Sequence, residues 1–99
     1  MVDEMIKLRK LLDKKGIKWK DKSERHKFEY GGEFFFDRTL FEYNGQEVGV
    51  INGNGTYGGV DVLTNKNEGL LEFCGCGGEP IGYLTADEVM NELEKRNEN

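Results

Sequence analysis

Apolar side chains alternate with polar ones on both sides of Asn44-Gly45, through Thr39-Leu-Phe-Glu-Tyr43 on one side and Gln46-Glu-Val-Gly-Val50 on the other. A two-residue Asn-Gly loop places both residues at positive φ, which these two types tolerate, so the stretch predicts a tight hairpin. The loop fixes the register. Tyr43 faces Gln46, Phe41 faces Val48 and Thr39 faces Val50 on one side of the ribbon, while Leu40 faces Gly49 and Arg38 faces Ile51 on the other. The first side is the predicted core. The same register sets Glu42 against Glu47, a like-charge pair that calls for a cation from Arg38 or from the basic N-terminal third.

Elements on either side follow from the same kind of pattern. From Asp3 to Lys15, Met5, Leu8, Leu11 and Leu12 recur at helical spacing with Ile6 beside the stripe, Asp3 stands as N-cap and Gly16 as a left-handed C-cap. Ile17-Lys-Trp-Lys20 alternates like an edge strand with its lysines outward. Residues 21–32 are mainly polar and read as a loop or mobile excursion, and Phe34-Phe-Phe36 begins the sheet. Val60-Asp-Val-Leu63 predicts a strand and Asn65-Lys-Asn-Glu-Gly69 a turn. Leu70-Leu-Glu-Phe73 is too short to assign between strand and helical turn, and 74–78 reads as a flexible connection. Ile81-Gly-Tyr-Leu84 predicts a short strand. Thr85-Ala-Asp-Glu88 is a capping box with Leu84 and Val89 as its hydrophobic staple, opening a helix with Val89, Met90 and Leu93 inward and fraying after Glu94. The prediction is one α+β domain over 1–99, a small antiparallel sheet of four or five strands with the N-terminal and C-terminal helices packed on one face.

Size and composition narrow what such a domain can hold. A chain of 99 residues buries only about two-thirds of its unfolded surface, so a site is expected in a surface groove or between copies, and a homo-oligomer is expected. The net charge of −5 conceals a split. Residues 1–30 hold ten Lys and Arg against six Asp and Glu, whereas residues 31–99 hold four against thirteen. An acidic body argues against duplex nucleic acid as a partner; the basic third reads most simply as a solvated helix face. No stretch has the length of a membrane span, and Asp3 and Glu4 stand where a signal peptide would be basic, so no membrane and a cytoplasmic location are expected.

Candidate chemistry concentrates after the hairpin. Gly53-Asn-Gly-Thr-Tyr-Gly58 matches GxGxxG and follows a strand, but Gly59-Val-Asp-Val opens no helix, and a dinucleotide site needs one to receive the pyrophosphate. What survives is a run of bare amides able to form an anion nest, with Asn52, Asn54 and Thr56 as hydrogen-bonding groups and Tyr57 as a stacking ring. The competing reading is a tight turn packed under Tyr57. The candidate ligand-binding residues are Arg38, Asn52, Gly53, Asn54, Gly55, Thr56, Tyr57 and Gly58, with Arg38 supplying charge. Trp19 is expected as a packing residue rather than a stacking platform. His26 has no orienting carboxylate and no companion ligands, Cys74 and Cys76 are spaced unlike a zinc or redox pair, and no two carboxylates share an apolar setting. No catalytic residue, metal or cofactor is assigned, and a non-enzyme is expected.

Phe41-Glu-Tyr-Asn-Gly45, Val50-Ile-Asn-Gly53, Gly55-Thr-Tyr-Gly-Gly59, Gly69-Leu-Leu-Glu72 and Gly78-Glu-Pro-Ile-Gly-Tyr-Leu-Thr-Ala86, with the helix-ending Gly16-Ile-Lys-Trp19, carry a resemblance. The chain resembles short uncharacterised proteins encoded by phages and prophages of gut Firmicutes, over most of residues 1–94, with Cys74-Gly-Cys76 peculiar to this chain. The resemblance implies no fold or site; it implies a setting in the host bacterial cell, where small accessory phage proteins often act against host immunity. The expected function is therefore anti-defence binding that sequesters a small nucleotide-like immune signal at the glycine-rich loop. The alternative is an acidic inhibitor of a host defence protein, imitating nucleic acid.

Overall fold

The computed structural model describes residues 4–27, 29, 31, 33–53, 69–75 and 79–97. In chain order they form α1 (Glu4–Lys14), β1 (Trp19–Asp21), β2 (Glu24–Lys27), β3 (Glu33–Tyr43), β4 (Gln46–Gly53), β5 (Leu71–Gly75), β6 (Ile81–Leu84) and α2 (Ala86–Asn97). All strand pairings are antiparallel, in the order β1, β3, β4, β5, β6, with β2 also on β3. The architecture is the predicted α+β. Asp3 and residues 60–63 and 65–68 lie outside the described residues.

Asn44 and Gly45 take φ of 51° and 80°, and the β3–β4 register is the one their spacing predicts, from Tyr43 opposite Gln46 to Arg38 opposite Ile51. Thr39, Phe41, Val48, Val50 and Asn52 are consequently buried on one face of the sheet, because side chains alternate across a pleated strand. Glu42 and Glu47 stand opposite each other, both exposed. The expected relief by Arg38 is not what forms: its guanidinium lies over the Phe36 ring, 4.8 Å from the centroid.

The reading of residues 21–32 as a loop is corrected for its first half. Glu24–Lys27 is strand, and its pairing on β3, Glu24 opposite Phe36, continues the register of Trp19 opposite Phe41 without a shift. β1 and β2 are thus one lane interrupted at Lys22 and Ser23. Polarity hid this strand, since an edge lane needs main-chain partners more than apolar side chains. The interruption is itself hydrogen bonded: Lys22 N–H donates to Arg38 O at 2.9 Å, and the Ser23 hydroxyl accepts from Arg38 N–H at 3.1 Å. Cys74 and Gly75, expected in a flexible connection, close β5 instead, and α2 continues to Asn97 instead of fraying after Glu94.

Both helices cover the Phe41 and Val50 face. Met5, Leu8 and Leu12 of α1 and Val89, Met90 and Leu93 of α2 join Phe41, Val48, Val50, Leu71 and Phe73 in one core. α1 ends in a Schellman cap, with Ile17 N–H on Leu12 O and Gly16 N–H on Asp13 O while Gly16 takes φ of 74°. α2 opens with the predicted box, Thr85 N–H on Glu88 Oε1 at 3.1 Å and Glu88 N–H on Thr85 Oγ1 at 3.3 Å. Contacts from Glu4 to Ala86, Lys7 to Asp87 and Lys15 to Glu94 advance together along the two helices. The helices therefore run parallel and begin side by side. Against β5, where Leu71 meets Leu84 and Phe73 meets Ile81, β6 carries one extra residue. Tyr83 absorbs it at φ of 60°, which lets two apolar residues three apart both turn toward the core.

Two glycines bear different loads. A Cβ at Gly45 would meet open space, whereas one at Gly75 would stand 3.0 Å from the Glu47 carbonyl oxygen and the Val48 Cα. In denaturant titrations Gly45→Ala is expected to cost about 1 kcal/mol, the penalty of left-handed backbone alone, and Gly75→Ala at least about 2 kcal/mol because backbone must also move.

Candidate functional site

β4 delivers the chain to the candidate segment at the end of the sheet where both helices begin. Asn52 is fully buried there, on the helix-covered face by the alternation of β4. Its Nδ2 donates to the Leu70 carbonyl, which fixes the amide so that Oδ1 points elsewhere as an acceptor. That Oδ1 is buried and has no hydrogen-bond partner. A buried polar atom left unpaired costs roughly 1–3 kcal/mol, so this oxygen is an unmet demand for an N–H or O–H donor at the root of the glycine-rich segment. Gly53 follows, also buried, at φ of 156°.

Among the described residues, main-chain donors at the start of α2 are already served. Glu4 Oε1 accepts from Ala86 N–H at 2.9 Å, so the first residue of α1 caps α2, and Glu88 and Asp87 lie in the α2 first turn. The positive end of the helix dipole is complemented by the chain's own carboxylates.

Of the residues selected from sequence, the structure places Asn52 and Gly53 together. Arg38 does not join them: it stands opposite Ile51, on the face away from the helices, while Asn52 is buried on the opposite face. The sheet lies between the two side chains, which removes Arg38 as the charge for a ligand held at Asn52. Asn54, Gly55, Thr56, Tyr57 and Gly58 lie outside the described residues.

Sequence reasoning passed over Arg9, which joins α1 to the sheet edge. Arg9 Nε donates to Thr39 Oγ1 at 2.8 Å, and Nη2 donates to Asp21 Oδ1 and to Arg38 O, each at 3.2 Å. The guanidinium also lies 4.8 Å from the centre of the Trp19 ring, whose Nε1 donates to Asp13 Oδ1 at 2.9 Å. Trp19 is thus held as a packing residue, stacked and hydrogen bonded within the chain. Only the polar position of Arg9 beside the apolar stripe hinted at this role. Nearby, Lys18, Lys20 and Lys22 face Leu40, Glu42 and Glu47 along an open groove of about 1080 Å³. It lies toward the hairpin end, away from Asn52, and its mixed charges select neither sign of ligand.

Among the described residues no group of three or more His, Cys, Asp or Glu converges, Cys74 is a free exposed thiol, and no helix is long and apolar enough to cross a membrane. Compared with models of protein families, with curated proteins and with solved structures, the chain matches none.

Asp21 carries the clearest electrostatic signature of the Arg9 corner. Hydrogen bonds from the Ser23 side chain and then from its main-chain N–H, with Arg9 adding, hold its carboxyl below the ordinary value of 3.8. A depressed carboxyl contributes stability above its unfolded pKa and loses it as pH falls through the folded one. Acid titration of the melting temperature should therefore show a decline beginning near the ordinary carboxylate value and continuing below it. The decline should be shallower in Asp21→Asn.

Proposed function

We propose that the protein is a binding protein that takes a small nucleotide-like ligand at Asn52 and the glycine-rich segment 53–58. The observation that carries this reading is the buried, unpartnered Oδ1 of Asn52. That oxygen is shut off from solvent in the unliganded chain, so the amino group or ring N–H of a nucleobase reaches it only as the chain around it opens, and successive glycine amides beside it suit a phosphate. Tyr57 supplies a face on which a base stacks. Asn52 and Gly53 enter with their observed places, and Asn54, Gly55, Thr56, Tyr57 and Gly58 enter on their residue types and their position next in the chain. A sequestering protein needs tight, saturable capture and no bond chemistry, which fits a small domain with one such acceptor. The resemblance to phage and prophage proteins supplies the setting, removal of a nucleotide immune signal inside an infected bacterial cell.

Thermal unfolding with a panel of cyclic and linear nucleotides tests this directly. A ligand that binds only the native chain adds about 2.7 kcal/mol at a hundredfold excess over Kd, a rise of several degrees for a domain of this size. Tyr57→Ala should abolish the rise. Asn52→Leu should abolish it too while leaving the unliganded protein within about 1 kcal/mol of the parent, because the lost Leu70 bond is offset by removal of an unpaired buried oxygen. If no nucleotide moves the melting temperature and a basic host protein is recovered instead, the acidic-inhibitor reading replaces this one.

A further inference from the structure

The helices cover one face of the sheet; by strand alternation, Phe36, Arg38, Leu40, Gly49, Ile51 and Glu72 share the other. This face sets a few apolar side chains among charged ones, Lys20, Glu24, Glu42 and Glu47 included. Leu40 and Ile51 stand near its centre, half-buried, on the face that the two helices leave uncovered. Leu40 lies across Gly49, where a Cβ would come within 3.2 Å of Leu40 Cδ2, so the middle of the face is flat.

Its charges are arranged in a way that one chain does not use. Arg38, Ile51 and Glu72 form a single row across three neighbouring strands, since Arg38 pairs with Ile51 and Ile51 with Glu72. All three are half-buried. Among the described residues the Arg38 guanidinium meets the Phe36 ring and no carboxylate, and Glu72 meets no cation. Ile51 stands between them and keeps them two strands apart, roughly 9–10 Å at the usual strand spacing.

We propose that the bare face seats a second copy of this chain about a two-fold axis running along β4, with Ile51 packed on the partner's Ile51 and Arg38 of each copy on the partner's Glu72. Rotation about that axis exchanges the β3 and β5 lanes, so the basic end of the row meets the acidic end twice. Charge selects this axis over its neighbours. This axis sets one like-charge pair together, Glu47 on the partner's Glu47 beside the hairpin; an axis between β3 and β4 would make two such pairs of Glu42 on Glu47 and no pair of Arg38 with Glu72, and one across the strands would stack the lysine-bearing β1 lane on itself. The two sheets then form an aligned sandwich, and Gly49 lets Leu40 lie flat within it. Five lanes about 4.8 Å apart and about seven residues deep give a face on the order of 500 Å² per copy. Two such faces reach the roughly 1,000 Å² at which specific, reversible association begins.

Sedimentation equilibrium on the whole chain, from low micromolar to several hundred micromolar, tests the proposal. The parent should dimerise reversibly, with a Kd that rises with salt. Arg38→Glu and Glu72→Arg should each weaken self-association at least about tenfold, and Ile51→Asp should do the same. An equimolar mixture of the first two should recover association to within about threefold of the parent, because each then presents to the other what it cannot present to itself. Circular dichroism melts establish that each variant is folded, and Glu72→Arg, Ile51→Asp and the salt series carry the test if Arg38→Glu does not fold. A parent that stays monomeric throughout overturns the proposal, as does a dimer that neither reversal weakens or a mixture no tighter than its components.

Discussion

The Asn44-Gly45 turn governs the rest of the molecule through strand parity. A two-residue loop with both φ angles positive admits one register between β3 and β4. Shifting it by one residue would carry Phe41 or Val48 to the opposite face. Once parity is set, Thr39, Phe41, Val48 and Val50 belong to the core, and two amphipathic helices have one apolar surface on which to pack. The same choice strips cover from Leu40, Ile51, Arg38 and Glu72. Core and bare face are therefore two results of one local constraint.

Among the described residues, polar groups near the core are satisfied with little left over, which isolates the exception. Arg9 meets Thr39, Asp21 and the Arg38 carbonyl, and the buried Thr39 hydroxyl in turn donates to Met5 Sδ at 3.1 Å. Glu4 and Glu88 answer main-chain donors at the start of α2. These contacts lock α1 to the sheet edge and both helix starts to each other. Asn52 Oδ1 stands apart as a buried acceptor with no donor. Its cost is comparable to one good hydrogen bond, and a ligand or partner able to supply an N–H would recover it.

The parallel course of α1 and α2 has a mechanical consequence. With both helices beginning at the end where β4 leaves the sheet, the Glu4 contact to Ala86 ties the two termini beside Leu71 and Asn52. The opposite end is held by Lys15 and Glu94, an exposed pair that adds little.

Local rules alone determined the hairpin, its register, the C-cap at Gly16, the capping box at Thr85 and the α+β class, because each rests on contacts between residues close in the chain. Sequence also drew attention to Asn52 and Gly53. Tertiary structure decided what depends on distant partners: that polar residues 24–27 extend the edge lane, since their partners are main-chain groups of β3, and that Arg9 is a hub joining residues up to thirty positions away. It also decided that Arg38 and Asn52 stand on opposite faces, which follows from strand alternation once both are placed in one sheet. The missing partner of Asn52 was likewise beyond sequence, because whether a buried amide is satisfied depends on every atom that surrounds it.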